Sequence, residues 1–433
     1  MNLKRILAAS AALLLSLAAM AGEKDGKIQL YGFIRTYAAY DSRESLSSIE
    51  DLFYYMPKDQ NMVGENDLNA VGSFRFAALT SRLGVDVKGY EFGGWDMGAK
   101  IETDFYAGVT GVTGTAQLRL RQAYVTFGYD DLYFKVGQAW HPLAADQPDV
   151  LSLNAGAPFN PFSRTPLFLV GYEFGDFSVD LAAIWQMQYT SAGPDLSTAD
   201  GHVYGVGSSA SADYIKYGKT PEIYLGINYD NDGFLARLGV DMLSIKPRHI
   251  NAAGVALSDR ITTFNPYLYL QYSDDDFTVK AKTVFAQGGE HMNLNGGYAV
   301  TASSMDNGLL DPSASWNYTP TRNSSSWISL KYGRALQGVL FVGYVKNFGT
   351  SEEIVSPDYL YFSKNSYSNM NSMWRVTPTV LYNLGKLTFG LEYDITGVQY
   401  GDFGGDDAKF GLATENLHWI TNHRVQAMVK FTF

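Results

Sequence analysis

The stretch WDMGAKIETDFY, residues 95–106, alternates apolar and polar side chains with a period of two. One face carries Trp95, Met97, Ala99, Ile101, Thr103 and Phe105, and the other carries Asp96, Lys100, Glu102 and Asp104. Successive side chains of a β-strand point to opposite faces, so the pattern predicts a strand with one apolar and one charged face. A soluble sheet on a core would show the same pattern, so one strand alone does not decide the fold.

The same alternation recurs along the chain, for example in FTVKAKTVF (277–285) and LTFGLEYDI (387–395). We predict sixteen strands, each with about the 9–11 residues or more that a tilted strand needs to cross a bilayer. They lie near 27–40, 73–88, 95–106, 117–129, 132–140, 166–174, 177–189, 221–230, 233–245, 262–273, 276–287, 326–333, 337–348, 374–383, 386–397 and 419–433. Near 73–88 and 117–129 the alternation changes parity midway, which predicts β-bulges.

The connections between these strands alternate between short and long. Seven are tight turns, such as GD (175–176) and NDG (231–233), and eight are long and polar, such as 190–220 and 288–325. Outer-membrane barrels have this asymmetry because their turns face the periplasm and their loops face outside. The sequence therefore predicts an all-β fold, a transmembrane antiparallel β-barrel of about 16 strands with short periplasmic turns and long extracellular loops.

Aromatic residues support the same interpretation, because many lie beside the short turns, where an interfacial girdle would be. They include Tyr90, Phe92, Trp95, Tyr129, Phe174, Tyr229, Tyr272 and Tyr382. The final stretch VQAMVKFTF (425–433) alternates as well and ends on Phe433. We predict that it pairs with the strand near 27–40 to close the barrel, with Phe433 at the periplasmic interface.

The N-terminus has the features of a secretory signal peptide. Lys4 and Arg5 precede an apolar run from Ile6 to Leu17, and the small-residue cleavage site Ala19-Met20-Ala21 follows. We therefore predict a signal peptide at 1–21 and one barrel domain at 22–433, in the outer membrane of a Gram-negative bacterium, with membrane lipids and lipopolysaccharide as its surroundings. The net charge of −11 argues against nucleic-acid binding. The absence of cysteine excludes disulfides and thiolate metal sites.

Charged strand faces must point into the barrel, since Arg or Lys on the lipid side costs about 2–4 kcal/mol near the bilayer midplane. A barrel of this size leaves an aqueous channel. By parity the lumen receives a mostly basic set. Its basic members are Arg35, Lys100, Arg119, Arg121, Lys135, Arg237, Lys280, Lys282, Lys331, Lys346, Arg375, Arg424 and Lys430. Its acidic members include Asp86, Glu102, Asp104, Asp180, Asp241, Glu392 and Asp394.

The third long loop, 141–165, differs from the others because the stretch 141–166 combines five prolines with an apolar series. Such residues need a surface to bury against, so we predict that the loop folds inward and narrows the pore. Asp146 and Asp149 would then face basic residues across the constriction, with Arg119, Arg121 and Lys135 on the two preceding strands. Transverse charge of this kind sets selectivity in pores.

Three stretches resemble the DcaP-like family of outer-membrane porins, namely SRLGVDVKG (81–89), LRLRQAYVTFG (118–128) and VGQAWHPLAADQPD (136–149). The opening strand LYGFIRTYAAYDSR (30–43) is similar too. The resemblance implies a homotrimeric porin of sixteen strands that admits small anions such as dicarboxylates, with Arg119 and Arg121 as pore arginines. Many members carry a helical stalk before the barrel, whereas here the first strand begins within a few residues of the predicted cleavage site.

The main functional prediction is a passive diffusion channel for small hydrophilic solutes, biased towards small anions. The alternative is a solute-specific sugar channel, with Tyr37 and Trp327 as candidate stacking residues. No G-x-S-x-G spacing appears, so no enzyme is predicted. No cofactor is predicted either. A cation held by His141 with Asp146 and Asp149, or calcium held by loop carboxylates, is an alternative to a solvated loop.

Overall fold

The computed structural model describes residues 22–48, 51–108, 116–197 and 202–433, so the predicted signal peptide lies outside it. Sixteen long strands form the wall, and we number them in chain order. They are β1 (Gly22–Asp41), β2 (Ser73–Ala77 and Arg82–Phe92), β3 (Trp95–Gly108), β4 (Ala116–Tyr129), β5 (Leu132–Trp140), β6 (Arg164–Phe174), β7 (Phe177–Ile184), β8 (Glu222–Asn231), β9 (Phe234–Ile245), β10 (Ile261–Ser273), β11 (Phe277–Gln287), β12 (Tyr318–Gly333), β13 (Leu336–Thr350), β14 (Met370–Leu384), β15 (Leu387–Phe403) and β16 (Ala413–Thr432).

Each strand pairs antiparallel with its neighbours in sequence, and β1 pairs with both β2 and β16. In the closing pair, Phe33 lies opposite Thr432 and Asp41 lies opposite Arg424. This closure removes the free edges that a soluble sheet would expose. The predicted sixteen-stranded antiparallel barrel is confirmed.

The two faces of the wall are inverted relative to a soluble protein. Along β10, Phe264 and Leu268 are exposed on the outside, whereas Asn265, Tyr267 and Tyr269 are buried inside. Aromatic side chains next to the turns are exposed on the outer face, as an interfacial girdle requires. None of the helices among the described residues has the length and apolar composition of a membrane-crossing helix.

Of the two predicted bulges, the one near 117–129 is present, whereas the strand near 73–88 has a break in its middle. Strand β2 is interrupted between Ala77 and Arg82. In the β3–β4 ladder, Glu102 pairs with Gln122 and Thr103 pairs with Leu120, which leaves Arg121 as the extra residue of a bulge. An extra residue re-aims its side chain relative to the regular alternation.

The long connections carry the remaining elements. Short strands are Ser45–Ser48, Phe53–Pro57, Met62–Val63, Asn66–Asp67, Ser191–Pro194, Ser208–Ser211, Gly297–Val300, Met305–Asp306, Leu309–Leu310 and Leu360–Phe362. Short α-helices are Pro142–Ala145 and Asp213–Lys216, and 3-10 turns are Glu290–Met292, Ala302–Ser304, Pro357–Tyr359 and Asp407–Phe410. Below, the first loop is the connection between β1 and β2, and the third loop is the connection 141–163 between β5 and β6.

Candidate functional site

The third loop lies against the inner face of the barrel and is bound there by wall side chains. The ammonium of Lys282 donates hydrogen bonds to the backbone oxygens of Leu143 and Asp146, at 2.8 and 2.6 Å. The carboxylate of Glu392 accepts the backbone N–H groups of Leu151 and Ser152, at 2.6 and 2.9 Å. These wall residues therefore satisfy backbone groups that an irregular buried segment cannot pair by itself.

Small residues in the wall make room for the apolar side chains of this loop. A Cβ atom on Gly343 would lie 2.5 Å from the ring of Phe159, and one on Gly390 would lie 2.8 Å from Leu151. Phe159 is fully buried, and its ring also contacts Phe341 edge-on, with the centroids 5.9 Å apart. The apolar series of the third loop is thus buried against β13 and β15.

The first loop also folds inward, which the sequence analysis missed. Arg375 donates to the backbone oxygens of Tyr55 at 2.6 Å and Ala157 at 2.9 Å, so one guanidinium binds both loops. Its guanidinium carbon lies 4.7 Å from the centroid of the Tyr54 ring, and that of Arg424 lies 5.4 Å from it. The apolar run LFYYM (52–56) inside an otherwise acidic loop was the available signal.

Asp146 and Asp149 pair with cations of the far wall. Asp146 contacts Arg237 at 3.0 Å, and Asp149 contacts Lys280 at 3.0 Å and Lys331 at 3.3 Å. The expected juxtaposition with Arg119, Arg121 and Lys135 is not what the structure shows. These pairs bind the loop to β9, β11 and β12, and they leave no support for a cation held by both aspartates together with His141.

Arg119 and Arg121 instead meet carboxylates of the neighbouring strand. Arg119 binds Asp104 through two hydrogen bonds of 2.9 and 2.8 Å. Arg121 reaches both Glu102 and Asp104, each at 2.7 Å, because the bulge turns it towards them. Arg82, which the sequence analysis did not single out, contacts Glu102 at 3.4 Å. Three arginines against two carboxylates leave this cluster with a net positive charge.

Three cavities lie between the wall and the third loop, which forms part of the lining of each. The outer one, of about 390 Å³, includes Arg119, Arg164 and Lys364 in its lining. The middle one, of about 150 Å³, includes Arg35, Arg82, Arg119 and Arg121. The inner one, of about 180 Å³, includes Arg35, Lys331 and Lys430. Arg119 is common to the first two, and Arg35 to the last two.

Basic side chains therefore line this series of cavities from the extracellular loops to the short turns. Within the described part of the chain, the carboxylates that line them are Asp104, in the middle cavity, and Asp149, in the inner one. The sequence analysis missed Arg82 and Arg164. Arg82 lies beyond the interruption of β2, where parity could not be followed, and Arg164 was counted in the third loop although it begins β6.

Other predicted lumen residues lie elsewhere on the wall. Lys100 pairs with Asp86 at 3.1 Å, and the Lys135 ammonium lies 5.4 Å from the Tyr124 ring centroid. Neither lines one of the three cavities. Arg424 is buried against Asp41 at 3.1 Å. Their assignment to the pore lining stays a prediction.

The model of the DcaP outer membrane protein family matches residues 18–155. Over these residues the chain is DcaP-like. The matched range contains Arg35, Arg82, Arg119 and Arg121, and it ends within the third loop. The resemblance seen in the sequence is thereby confirmed over the matched residues.

Solved structures agree with this fold. The chain is similar to the outer membrane channel DcaP of Acinetobacter baumannii, with a TM-score of 0.64 and 19% identity, over 96% of this chain and 100% of that chain. It is also similar to the trimer form of OmpT, an outer membrane protein of Vibrio cholerae, with a TM-score of 0.51 and 10% identity, over 95% of this chain and 100% of that chain. A comparison with curated proteins gave no match.

Proposed function

We propose that the protein is an outer-membrane channel of the porin type in a Gram-negative bacterium. It would pass small hydrophilic solutes by passive diffusion, with a bias towards small anions such as dicarboxylates. The observation that carries this proposal is the series of basic residues along the three cavities. Among the described residues, only two carboxylates, Asp104 and Asp149, line the same cavities. In a narrow, low-dielectric passage such a field raises the local concentration of anions and lowers that of cations. The acidic net charge of the whole chain does not oppose this, because charges beyond about 8–10 Å are screened in physiological salt.

The reversal potential in a planar bilayer under a potassium chloride gradient tests the proposal. We expect an anion-selective potential that falls towards zero when Arg35 and Arg119 are both replaced by Gln. A double variant of Lys27 and Lys88 to Gln, near the periplasmic end of β1 and β2, is the matched control and should keep the selectivity. Cation preference in the unmodified protein would refute the anion bias.

The alternative of a sugar-specific channel has less support. Its candidate stacking residues, Tyr37 and Trp327, are only 1% and 4% exposed. Trp327 donates its indole N–H to Asn160 of the third loop at 3.1 Å, so its ring supports the loop. Liposome swelling compares the two candidates directly. Succinate should enter faster than an uncharged sugar of similar size, whereas the reverse order would favour the sugar channel.

We further propose that the chain assembles as a homotrimer surrounded by membrane lipids and lipopolysaccharide. The OmpT trimer form has the same fold, and the DcaP-like resemblance carries the same expectation. Light scattering of the detergent-solubilised protein, corrected for bound detergent, should give the mass of three chains. A mass of one chain would contradict the proposal without affecting the anion bias.

A further inference from the structure

Four titratable side chains meet inside the barrel where the third loop begins. His141 follows β5, Glu222 begins β8, Asp241 lies in β9, and His291 lies in the loop after β11. All four are at most 1% exposed. The Nε2 atom of His291 lies 3.3 Å from Glu222 Oε1 and 3.6 Å from Asp241 Oδ2. His141, Glu222 and Asp241 also have ligand-type atoms that all lie within 4.8 Å of one another.

Three polar atoms of this cluster make no hydrogen bond to the described residues. His141 Nε2 lies 3.0 Å from Glu222 Oε1, and Asn265 donates to Asp241 Oδ2 at 2.9 Å. The second oxygen of each carboxylate, Glu222 Oε2 and Asp241 Oδ1, has no hydrogen-bond partner among the described residues, and neither does His291 Nε2. Buried polar atoms without a partner are rare because each one costs about 1–3 kcal/mol. One nitrogen and two carboxylates are therefore unsatisfied at the same place.

We propose that His291, Glu222 and Asp241 bind one divalent zinc ion. Zinc takes imidazole nitrogen and carboxylate oxygen at about 2.0–2.2 Å in a tetrahedron, which separates neighbouring ligand atoms by about 3.3–3.5 Å. The distance from His291 Nε2 to Glu222 Oε1, 3.3 Å, lies within this range, and the distance to Asp241 Oδ2, 3.6 Å, lies just above it. The two charges of the ion balance those of the two carboxylates, and calcium, which prefers six to eight oxygen ligands, fits the set less well.

His141 is not a ligand of the ion but donates a hydrogen bond to one of the ligands. Its Nδ1 atom accepts the backbone N–H of Leu143 at 3.1 Å, so the proton of the neutral ring is on Nε2 and is donated to Glu222. A ring in that state orients a metal-binding carboxylate and does not itself bind the ion. Asn265 does the same for Asp241. Such outer donors are usual around metal sites, and removing one weakens metal binding about 10–100-fold.

The ion would join β8, β9 and the loop after β11, and through His141 it would fix the start of the third loop. The inference does not depend on the anion bias, because none of the three ligands lines the three cavities. The ion would affect the attachment of the third loop to the wall.

Metal analysis of the intact protein tests the site. Protein purified without a histidine tag is treated with EDTA, dialysed against zinc chloride, washed and analysed by mass spectrometry of the metal. We expect one zinc per chain in the unmodified protein and less than a tenth of that in His291→Gln and Asp241→Asn. His202→Gln is the matched control, because His202 also lies near an aspartate, Asp195 at 3.6 Å, but on a partly exposed loop. Zinc-free protein, or equal zinc in His291→Gln, would overturn the assignment.

A second measurement covers variants that fail to fold. The temperature at which the unmodified barrel unfolds, read from its heat-dependent shift on a gel, should be higher with zinc than with EDTA, and the difference should vanish in His291→Gln. Cobalt in place of zinc should give the intense visible absorption of a tetrahedral site. Equal unfolding temperatures with zinc and EDTA in the unmodified protein would contradict the proposal.

Discussion

The two halves of the inner wall use the same residue types for different purposes. On the half covered by the third loop, Lys282 and Arg375 are buried, and both donate to backbone oxygens of that loop. On the other half, which we call the open half, cavities separate the wall from the third loop, and Arg35 and Arg82 line the middle cavity beside Arg119. All of these side chains point inward. The direction of a charged side chain therefore does not reveal whether it supports the structure or faces the solute.

Whether a cation supports the structure or faces the solute depends on the groups that it contacts. A buried cation that donates to several acceptors is fixed, and its removal leaves those acceptors unpaired. Removing a cation beside a water-filled cavity costs the protein little stability. The removal does change the electric field that a passing ion experiences. Substitutions on the two halves should consequently separate stability from selectivity.

The largest effect is expected for Arg375→Met. This change removes the donor to Tyr55, Ala157 and Thr396, and it leaves Asp394 without the guanidinium 3.5 Å away. Breaking such a buried network should lower the free energy of unfolding by about 3–5 kcal/mol. Urea unfolding of the barrel in liposomes measures it. Arg35→Met is the control and should cost less than about 1 kcal/mol. Equal losses in both variants would remove the distinction between the two halves.

Glu392→Ala should have the next largest effect, because the carboxylate binds the loop through two backbone N–H groups and also accepts the hydroxyl of Thr379 at 2.8 Å. Leaving these donors unpaired should cost about 2–3 kcal/mol. With the loop less firmly bound, single-channel conductance should rise and become noisier. Glu173→Gln, at an exposed position next to a periplasmic turn, should leave both quantities unchanged. A conductance equal to that of the unmodified protein would show that Glu392 does not hold the loop.

Two neighbouring lysines on β11 sharpen the comparison within one strand. Lys282 is 3% exposed and donates to three acceptors, so Lys282→Met should destabilise the barrel by about 2 kcal/mol. Lys280 is more exposed and pairs with Asp149, so Lys280→Met should cost less than about 1 kcal/mol. Urea unfolding of both variants checks the order. If Lys280→Met were the more harmful change, burial would not be the deciding property.

On the open half, Arg82→Gln should change selectivity more than stability. The guanidinium contacts Glu102 at 3.4 Å and lines the middle cavity. Its loss removes one positive charge where three arginines meet two carboxylates, so the anion preference in the reversal potential should decrease. Arg82→Lys keeps the charge and should retain most of it. A preference that stays unchanged in Arg82→Gln would place the selective region elsewhere.

Alternation and turn spacing were enough to predict the barrel, because a strand repeats its side-chain direction every two residues. They also predicted the bulge in β4, although only the structure shows that Arg121 is the extra residue and therefore reaches two carboxylates. Loops have no such period. The insertion of Tyr54 between Arg375 and Arg424 depends on contacts across more than 300 positions of the chain, which local pattern cannot reveal. The partners of Asp146 and Asp149 are likewise distant in the chain, so local pattern does not reveal them either.

The smallest effect concerns the rim, where the first loop is held outside the membrane by Asp67. A hydrogen bond of 2.7 Å from Arg43, followed by the backbone N–H of Asn61, keeps the pKa of this carboxyl below its ordinary value. A carboxyl whose pKa is lowered in the folded state stabilises that state at pH values above its ordinary pKa, which is about 4. This contribution is lost as the pH falls through the lowered pKa.

The first loop should therefore become more mobile below about pH 4 and stay fixed at neutral pH. A nitroxide on Glu65→Cys reports this mobility cleanly, since the chain has no other cysteine. Asp67→Asn should show at pH 6 the mobility that the unmodified loop reaches only in acid. Both proteins should keep the same unfolding free energy within about 1 kcal/mol, because the pair of Arg43 and Asp67 lies near the surface. Mobility independent of pH from 6 to 3 would show that contacts within the lumen, and not this pair, position the loop.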